Sequence, residues 1–280
     1  MILVFGKTGQ VARELQRQAP VTALGREEAD LQDPARCEAL IAHHRPRAVI
    51  NAAAYTAVDG AETDAQTAAV VNADAPGAMA TACAALDIPF VHVSTDYVFD
   101  GAGQRAWRET DTPAPQGVYG QTKYAGEEQI RAAGGHWLIL RTAWVFSAHG
   151  NNFVKTMLRL SQDRDQMQVV ADQIGCPTPA ADIAATLLEV TRALGAGQAG
   201  GLYHYAGQPP TSWANLARAT FAGAGRTTTV TDIPTSAWPT PARRPLNSRL
   251  NCAKLTTDFG IRPPDWKVGL GQVLAELETE

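Results

Sequence analysis

The sequence predicts an α/β protein in which a smaller, irregular C-terminal lobe follows a doubly wound parallel sheet. Short apolar segments alternate with helical stretches through the first half of the chain, as βαβ units require. A glycine turn directly follows the first apolar segment, where such a sheet leads into its first helix. After about Asn151, proline and glycine cluster and the helices shorten, which indicates a second lobe of different texture.

The apolar segments of the first half are predicted to be strands buried on both faces of the sheet. They are Ile2–Phe5, Val21–Leu24, Ala48–Ala52, Phe90–Val93 and Trp137–Leu140. The predicted helices between them are Pro34–His44, Asp64–Leu86 and Tyr119–Ala133. Residues 1–150 therefore form the sheet domain, and residues 151–280 belong mainly to the second lobe. We expect segments near 169–200 to return to the first domain, with Val169–Gly175 and Leu202–Tyr205 joining the main sheet, so the lobe is discontinuous.

The turn after the first predicted strand has the spacing of a phosphate-binding site. Gly6 and Gly9 stand in a Gly-x-x-Gly-x-x-small pattern that Ala12 completes, and a helical pattern follows. Gly6 permits the tight turn, and Gly9 lets the backbone approach a pyrophosphate. The helix N-terminus supplies amide donors and a partial positive charge to the phosphates. Strand, turn and helix in this order predict a Rossmann-type dinucleotide-binding domain.

The second predicted strand ends at Gly25-Arg26. Sites for NAD usually place an acidic residue near this point for the ribose 2′-hydroxyl, whereas an arginine accommodates a 2′-phosphate. Because neither residue here is a carboxylate, we expect NADPH as the cofactor, with NADH as an alternative. A solvated loop arginine is the other interpretation of Arg26. By analogy, Asp30 and Leu31 are expected to flank the adenine.

Tyr119 and Lys123 stand four residues apart on a predicted helix and therefore share one of its faces. A free phenol has a pKa of about 10, and a nearby ammonium lowers that pKa by favouring the phenolate. The Thr95 hydroxyl, at the end of the fourth predicted strand, can contact the same substrate oxygen. This trio suits protonation of a carbonyl oxygen while a hydride reaches its carbon, although Tyr-x-x-x-Lys alone also occurs on ordinary exposed helices.

Composition excludes several classes of protein. The chain has 280 residues, 45% hydrophobic and 19% charged, with a net charge of −4, so it can bury a core and has no basic footprint for nucleic acid. No apolar run approaches the roughly 18 residues of a membrane span, and no signal-peptide pattern is present. The cysteines are scattered, which suggests neither zinc nor disulfides. We expect a cytoplasmic protein that binds a small-molecule substrate, without membrane or nucleic acid.

Together, Gly-x-x-Gly and Tyr-x-x-x-Lys at this separation resemble the extended short-chain dehydrogenases/reductases. Longer segments resemble one family among them, the dTDP-4-dehydrorhamnose reductases. These segments are Phe5–Val11, Asn51–Asp59, Val93–Phe99, Asn151–Leu158 and Arg244–Arg249. They occur in order over almost the whole chain. The resemblance implies NADPH- or NADH-dependent reduction of the 4-keto group of dTDP-4-dehydro-L-rhamnose to dTDP-L-rhamnose, a step of nucleotide-sugar and cell-surface polysaccharide biosynthesis.

The resemblance also implies a role for each site residue. Tyr119 is the proton donor, and Lys123 lowers the pKa of Tyr119 and anchors the cofactor ribose. The Thr95 hydroxyl contacts the substrate oxygen that Tyr119 protonates. Asp96 and Trp144 fall at the sugar-nucleotide contacts of the family. Its cofactor contacts fall at Gly9, Gln10, Val11, Asp30, Leu31, Ala54, Tyr55 and Thr56.

The chain departs from the family at a metal site. Some members bind Mg²⁺ between subunits through an acidic residue on the first helix and another after a Pro-Thr turn. Glu14 matches the first position, but Ala181 occupies the second, and Asp182 is only adjacent to it. One carboxylate rarely holds Mg²⁺. We therefore expect no metal-bridged dimer, and the chain is expected to be a monomer or a homodimer.

Two other functions fit the same scaffold. A sugar-nucleotide dehydratase needs a second acid beside Thr95-Asp96, but Tyr97 occupies that position. A non-catalytic NADP-binding regulatory subunit, resembling the methionine adenosyltransferase beta subunit, needs no catalytic trio. Because the trio is complete here, the reductase is the favoured interpretation.

Overall fold

A computed structural model describes residues 1–279 of the chain. Its main sheet contains six strands, all paired in parallel, in the order β10-β5-β4-β3-β1-β2. These strands are β1 (Ile2–Phe5), β2 (Thr22–Leu24), β3 (Ala48–Asn51), β4 (Phe90–Thr95), β5 (Trp137–Thr142) and β10 (Gly201–His204). The chain moves from β1 to β2 on one side and then to β3 on the other. The strand order therefore reverses between β1 and β3, which is where α/β sheets form a ligand crevice.

Helices cover both faces of this sheet. The helices are α1 (Gln10–Gln18), α2 (Pro34–His44), α3 (Val58–Ala61), α4 (Ala65–Ala69), α5 (Ala75–Ala85), α6 (Val118–Ala133), α7 (Phe153–Leu160), α8 (Ala180–Gly195), α9 (Trp213–Gly223), α10 (Ala253–Phe259) and α11 (Trp266–Thr279). On one face, Leu15 of α1 and Ile183 of α8 pack in one buried cluster with Val4 of β1. On the other face, Ile41 of α2 and Met79 of α5 join a cluster with other strand residues. Two apolar layers thus enclose the sheet.

The long helix predicted over Asp64–Leu86 forms with an irregular centre. A π-helical segment, Val70–Asp74, connects α4 to α5. It holds the fully buried Asn72, whose amide oxygen accepts the Tyr55 backbone N–H at 2.9 Å. The Asn72 side-chain nitrogen donates to the Thr122 hydroxyl at 3.2 Å. This segment therefore ties the loop after β3 to α6.

The second lobe contains the short strands, which are β6 (Val145–Phe146), β7 (Gln166–Val170), β8 (Ile174–Gly175), β9 (Thr178–Pro179), β11 (Thr211–Ser212), β12 (Thr229–Ile233) and β13 (Asn247–Ser248). The expectation that Val169–Gly175 joins the main sheet is wrong. Strand β7 pairs with β12, and β8 lies between β11 and β13 in a separate sheet. The alternate residues of β7 pack on helix α9, through Met167 and Val169, so its apolar face is buried within the lobe.

The chain does return to the first domain, but only after the short strands β7, β8 and β9, at helix α8. Helix α8 packs against α1, and β10 pairs in parallel with β5 at the edge of the main sheet. This agrees with the expectation for Leu202–Tyr205. Among residues 1–279, helices with the length and apolarity to cross a membrane are absent.

Candidate active site

A cleft of about 960 Å³ opens at the carboxyl ends of strands β1 to β5. It lies at the reversal of strand order, where α/β sheets bind ligands. Every residue predicted from the sequence to bind cofactor or substrate, or to act in catalysis, lines this cleft. The residues predicted to bind the adenosine half of the cofactor follow β1 and β2. The predicted catalytic residues follow β4 or lie on α6.

The glycine turn forms the floor of the cleft beside β1. Gly6 has a φ of 111°, a conformation that other residues rarely adopt, and its amide donates to the Leu24 carbonyl at 2.9 Å. A Cβ at Gly6 would lie 3.3 Å from the Ala52 carbonyl carbon. Gly9 is the N-cap of α1, and none of the described side chains caps this terminus. The first amides of α1 are therefore free to meet an anionic group.

The end of β2 holds two ion pairs. Arg26 pairs with Asp30 at 3.3 Å, and Lys7 from the glycine turn pairs with Glu28 at 3.2 Å. The Glu28 carboxylate also accepts the Gly25 amide hydrogen at 2.6 Å, which lowers the pKa of Glu28. A carboxylate therefore does reach Gly25, although Gly25 and Arg26 themselves carry none. The chain folds Glu28 back onto the turn, so two cations and two carboxylates meet there.

The predicted catalytic residues meet at the other end of the cleft. Thr95 ends β4, and its hydroxyl donates to Asp96 and accepts the Tyr97 amide, each at 3.2 Å. Tyr119 is half-buried in the first turns of α6, edge-on to the Tyr97 ring at 5.4 Å. Lys123 follows one turn later and is only 1% exposed. Strand β4 and helix α6 thus bring the three predicted groups to one place.

The protonation of this trio differs from the expectation. Burial raises the pKa of Tyr119 to about 12, although the Thr95 hydroxyl opposes the rise. Burial lowers the pKa of Lys123 to about 7. The Lys123 Nζ atom contacts His92 Nε2 at 2.9 Å and donates to the Val93 carbonyl at 2.7 Å. The expected lowering of the tyrosine pKa by this lysine is therefore not found in this structure, because the amine points into the sheet and burial dominates.

Asp96 is a buried carboxyl beside the trio. It is 3% exposed, and burial raises its pKa to about 6 against the opposing hydrogen bonds from Ser248 and Thr95. Its Oδ2 atom has no hydrogen-bond partner among the described residues. A buried polar atom without a partner is uncommon in folded proteins, and this one belongs to a residue that lines the cleft.

Trp144 forms the wall of the cleft beyond β5. Its φ of 49° lies in the left-handed region, and its ring stacks on Trp213 with 3.5 Å between centroids. The Trp213 indole nitrogen donates to Gln173 at 3.0 Å, which anchors the stack in the second lobe. A Cβ at Gly175 would overlap the Trp144 ring, so only glycine leaves room for it. Sequence reasoning missed Trp213, since an aromatic residue at a helix start carries no functional pattern.

Sequence reasoning also missed the buried polar residues behind the trio. Glu127 is fully buried and accepts hydrogen bonds from Ser94 at 2.6 Å and from Arg141 Nε at 2.8 Å. Asn51 and His92 are fully buried on neighbouring strands, with 3.2 Å between Asn51 Nδ2 and His92 Nδ1. The available signal was a polar side chain inside an otherwise apolar strand, which requires a buried partner.

Glu14 matches the Mg²⁺ position of the family. In this structure its carboxylate contacts an arginine and a histidine ring nitrogen. Its carboxylate lies 3.2 Å from both Arg17 and His149. Asp182, beside the unmatched position, is half-buried at the start of α8. Within residues 1–279, His, Cys, Asp and Glu side chains do not cluster in threes that could hold a metal. In this structure the Glu14 carboxylate is therefore engaged by Arg17 and His149.

Comparison with known proteins identifies the family. The family model described as the RmlD substrate binding domain matches residues 1–279. A dTDP-4-dehydrorhamnose reductase of Burkholderia thailandensis is 44% identical over 100% of this chain and 99% of its own length. The chain belongs to the dTDP-4-dehydrorhamnose reductase family.

Solved structures of the dTDP-4-dehydrorhamnose reductase family have the same fold. The family member from Clostridium acetobutylicum superimposes with a TM-score of 0.91 at 34% identity, covering 99% of both chains. The Bacillus anthracis member, solved in complex with NADP, gives a TM-score of 0.92 at 32% identity over 98% of both chains. The family membership and the parallel-sheet fold expected from the sequence are confirmed.

Proposed function

We propose that this protein reduces the 4-keto group of dTDP-4-dehydro-L-rhamnose to give dTDP-L-rhamnose, with NADPH as the electron donor. The observation that carries this proposal is the meeting of Thr95, Tyr119 and Lys123 at one end of a dinucleotide-type cleft. Relatives that match the chain over its full length are named as dTDP-4-dehydrorhamnose reductases. The reaction adds one hydride to carbon and one proton to oxygen, and the side chains of the cleft must supply that proton.

The cleft fits a nicotinamide dinucleotide, and a family member was solved with NADP. Gly6 and Gly9 have no side chains to keep a ligand from the backbone beside the N-terminus of α1. The uncapped amides of that N-terminus can bind the pyrophosphate. Arg26 and Lys7 provide positive charge at the adenosine end, where a 2′-phosphate would lie. When bound, the reduced nicotinamide supplies the hydride.

Tyr119 acts as the general acid. Because its pKa is raised to about 12, the phenol carries its proton throughout the neutral range and can donate it. Donation requires the phenol oxygen to lie about 2.6–3.2 Å from the keto oxygen in the productive complex. Thr95, whose hydroxyl faces the same phenol, shares that oxygen and stabilises the charge that develops there. Lys123 lies one turn away and also lines the cleft. To anchor the cofactor ribose, its amine must turn towards the cleft from its present contacts with His92 and the Val93 carbonyl.

Asp96 and Trp144 position the sugar. The free Oδ2 atom of Asp96 can accept a hydrogen bond from a sugar hydroxyl, and a pKa of about 6 leaves the carboxyl ionised at neutral pH. Trp144, held flat by its stack on Trp213, offers an apolar wall to a deoxysugar. Besides NADPH, the reaction needs only the nucleotide sugar as a partner, and we propose a monomer or homodimer.

The test is NADPH consumption, followed by its near-ultraviolet absorbance, with the keto-sugar nucleotide as substrate. The keto sugar without dTDP serves as the comparison substrate, and Tyr119→Phe serves as the inactive control. We expect turnover with the nucleotide sugar alone. If NADPH binds but no nucleotide sugar is reduced, the chain is a regulatory subunit instead.

A further inference from the structure

The helix that carries Tyr119 begins at a residue with no side chain to cap it. Gly117 is the N-cap of α6, in an extended conformation, and its carbonyl accepts the Gln121 amide hydrogen at 3.0 Å. The first amide hydrogens of a helix have no partners within the helix, and a serine, threonine, aspartate or asparagine at the N-cap usually accepts one of them. Because the N-cap of α6 is a glycine, the acceptor must come from elsewhere in the fold.

The acceptor is Glu62, at the C-terminal end of the short helix α3. Its Oε1 atom accepts the amide hydrogen of Val118, the first residue of α6, at 2.9 Å across 56 residues of sequence. A Cβ at Gly117 would lie 2.8 Å from the same oxygen, so the carboxylate occupies the space of a side-chain cap. Tyr119 directly follows Val118 and therefore lies in the turn that Glu62 caps.

The second lobe holds α3 in place. Asp59, on α3, accepts the Ala242 amide hydrogen at 3.1 Å and pairs with Arg244 at 2.6 Å. Between these two residues, Arg243 donates to the side-chain oxygen of Gln116 at 3.1 Å, just before α6 begins. The second lobe, α3 and the start of α6 are therefore joined by side-chain hydrogen bonds.

Other contacts hold α6 from its second residue onward. A Cβ at Gly120 would overlap the Tyr97 carbonyl, so the helix packs closely on the segment after β4. The Tyr119 carbonyl accepts the Thr122 hydroxyl at 3.0 Å. These contacts fix the distance of the helix from β4, and the hydrogen bond from Val118 to Glu62 secures its first amide.

We propose that Glu62 is a positioning residue that caps the catalytic helix from α3 and thereby holds the Tyr119 phenol in place for proton donation. The cap is independent of the proposed function, and only its effect on the reaction rests on that function. Proton donation requires the phenol to lie within hydrogen-bond reach of the keto oxygen. Lys123 lies one turn further along, so loss of the cap should lower kcat and leave cofactor binding nearly unchanged.

The first experiment removes the cap and measures steady-state kinetics. Glu62→Ala should lower kcat by about three- to thirty-fold, the population change expected when a cap is lost and the first turn opens. The KM for NADPH should stay within about two-fold of the wild type, since the rest of α6 remains folded. Glu62→Gln keeps an oxygen acceptor and should keep kcat within about two-fold. A loss in Glu62→Gln as large as in Glu62→Ala would overturn the proposal.

The matched control removes a cap from a helix that carries no catalytic group. Asp33 caps α2 by accepting the Arg36 amide hydrogen at 2.9 Å. Asp33→Ala should lose about as much stability in urea denaturation as Glu62→Ala, but its kcat should remain close to that of the wild type. An equal fall of kcat in both variants would show a general effect of stability and overturn the positioning role.

The second experiment moves the cap into α6 itself. In Glu62→Ala the space beside Gly117 is vacated, and Gly117→Ser would place a hydroxyl there that accepts an amide hydrogen of the first turn. The double variant should recover kcat to within about three-fold of the wild type. Gly117→Ala in the same background has no acceptor and should not recover. If serine restores no more activity than alanine, the missing hydrogen bond is not the cause of the loss.

Residue-resolved hydrogen exchange of the whole protein tests the cap without any assay of activity. The Val118 amide should be protected in the wild type, because a first-turn amide without a partner exchanges nearly as fast as in an unfolded chain. Exchange at Val118 and Tyr119 should be faster in Glu62→Ala and slower again when Gly117→Ser is added. Free exchange of Val118 in the wild type would overturn the proposal even if no variant folds. A protected Val118 in a protein that reduces no nucleotide sugar would support the cap and overturn the proposed reaction.

Discussion

The two ends of the cleft use the same kinds of charged groups in opposite surroundings. At the catalytic end, Arg141 and Glu127 form an ion pair in which both side chains are 0% exposed. At the adenosine end, Arg26 and Asp30 form a pair whose side chains are 76% and 41% exposed. At the catalytic end burial moves the pKa of Lys123 to about 7 and that of Asp96 to about 6.

This difference indicates how function is divided along the cleft. Burial removes the water that would otherwise screen a charge, so each group at the catalytic end depends on its protein neighbours. Exposed ion pairs are screened by solvent and contribute little. Substitutions should therefore have their largest effects at Tyr119 and Lys123 and progressively smaller effects towards the end of β2.

The largest effect is expected for Tyr119→Phe. Loss of the phenol proton should lower kcat by about 10²–10⁴-fold, the usual contribution of general acid catalysis. Fluorescence titration should give an NADPH affinity close to that of the wild type. Tyr124→Phe, on the same helix, is the matched control and should retain activity. If Tyr119→Phe stays within a few-fold of the wild type, another group is the acid.

Lys123→Met tests the buried end through stability. A lysine whose pKa is lowered to about 7 on folding binds fewer protons in the folded than in the unfolded state between that value and its usual pKa of about 10.4. The wild type should therefore gain stability relative to Lys123→Met as the pH rises above about 7, by up to about 1.4 kcal/mol per pH unit. Below about pH 7 the difference should be constant.

Urea denaturation of both proteins at a series of pH values measures this difference. NADPH affinity should fall in the same variant, because the proposed ribose anchor is removed. A difference in unfolding free energy that does not change with pH would show that Lys123 keeps its usual pKa in the folded protein. Normal NADPH binding by Lys123→Met would remove the ribose-anchor role.

Arg26→Ala tests the exposed end. Loss of one cation from the proposed 2′-phosphate site should raise the KM for NADPH, by up to about ten-fold, since solvent and the Asp30 carboxylate already screen the arginine. Kinetics with NADH should not change. Steady-state assays with both cofactors measure the ratio of kcat/KM for NADPH to that for NADH. Arg36→Ala, at an exposed position on α2, is the control. Equal kcat/KM for NADPH and NADH in the wild type would make Arg26 a solvated loop residue.

The smallest effect is expected for Glu28→Gln. The Glu28 carboxylate pairs with Lys7 and would repel a 2′-phosphate, so its neutralisation should improve the NADPH KM by less than about five-fold. The NADH KM should rise if the same carboxylate holds a ribose 2′-hydroxyl. Raising the ionic strength should reduce the NADPH effect. A change as large as that of Tyr119→Phe would contradict the division between the two ends.

Local patterns in the sequence determined the first domain and the outline of its cleft. The glycine turn, the apolar strands and the Tyr-x-x-x-Lys helix each depend on residues close together in the chain. Parallel strands place their carboxyl ends at one edge, so residues that follow different strands meet without further information. The match to a known family over the whole chain then indicated the substrate, which no local pattern could have done.

Only the tertiary structure decided the pairing of the short strands and the charge state of the site. Val169–Gly175 begins with an apolar run, Val169–Ala171, but the strands that pair with the segment, β12 and then β11 and β13, come much later in the chain. The pKa values of Tyr119 and Lys123 likewise depend on burial by distant segments. Lys123, for example, contacts His92, which lies 31 residues before it in the chain. Strand pairing and desolvation arise from contacts between distant segments, and sequence spacing does not report those contacts.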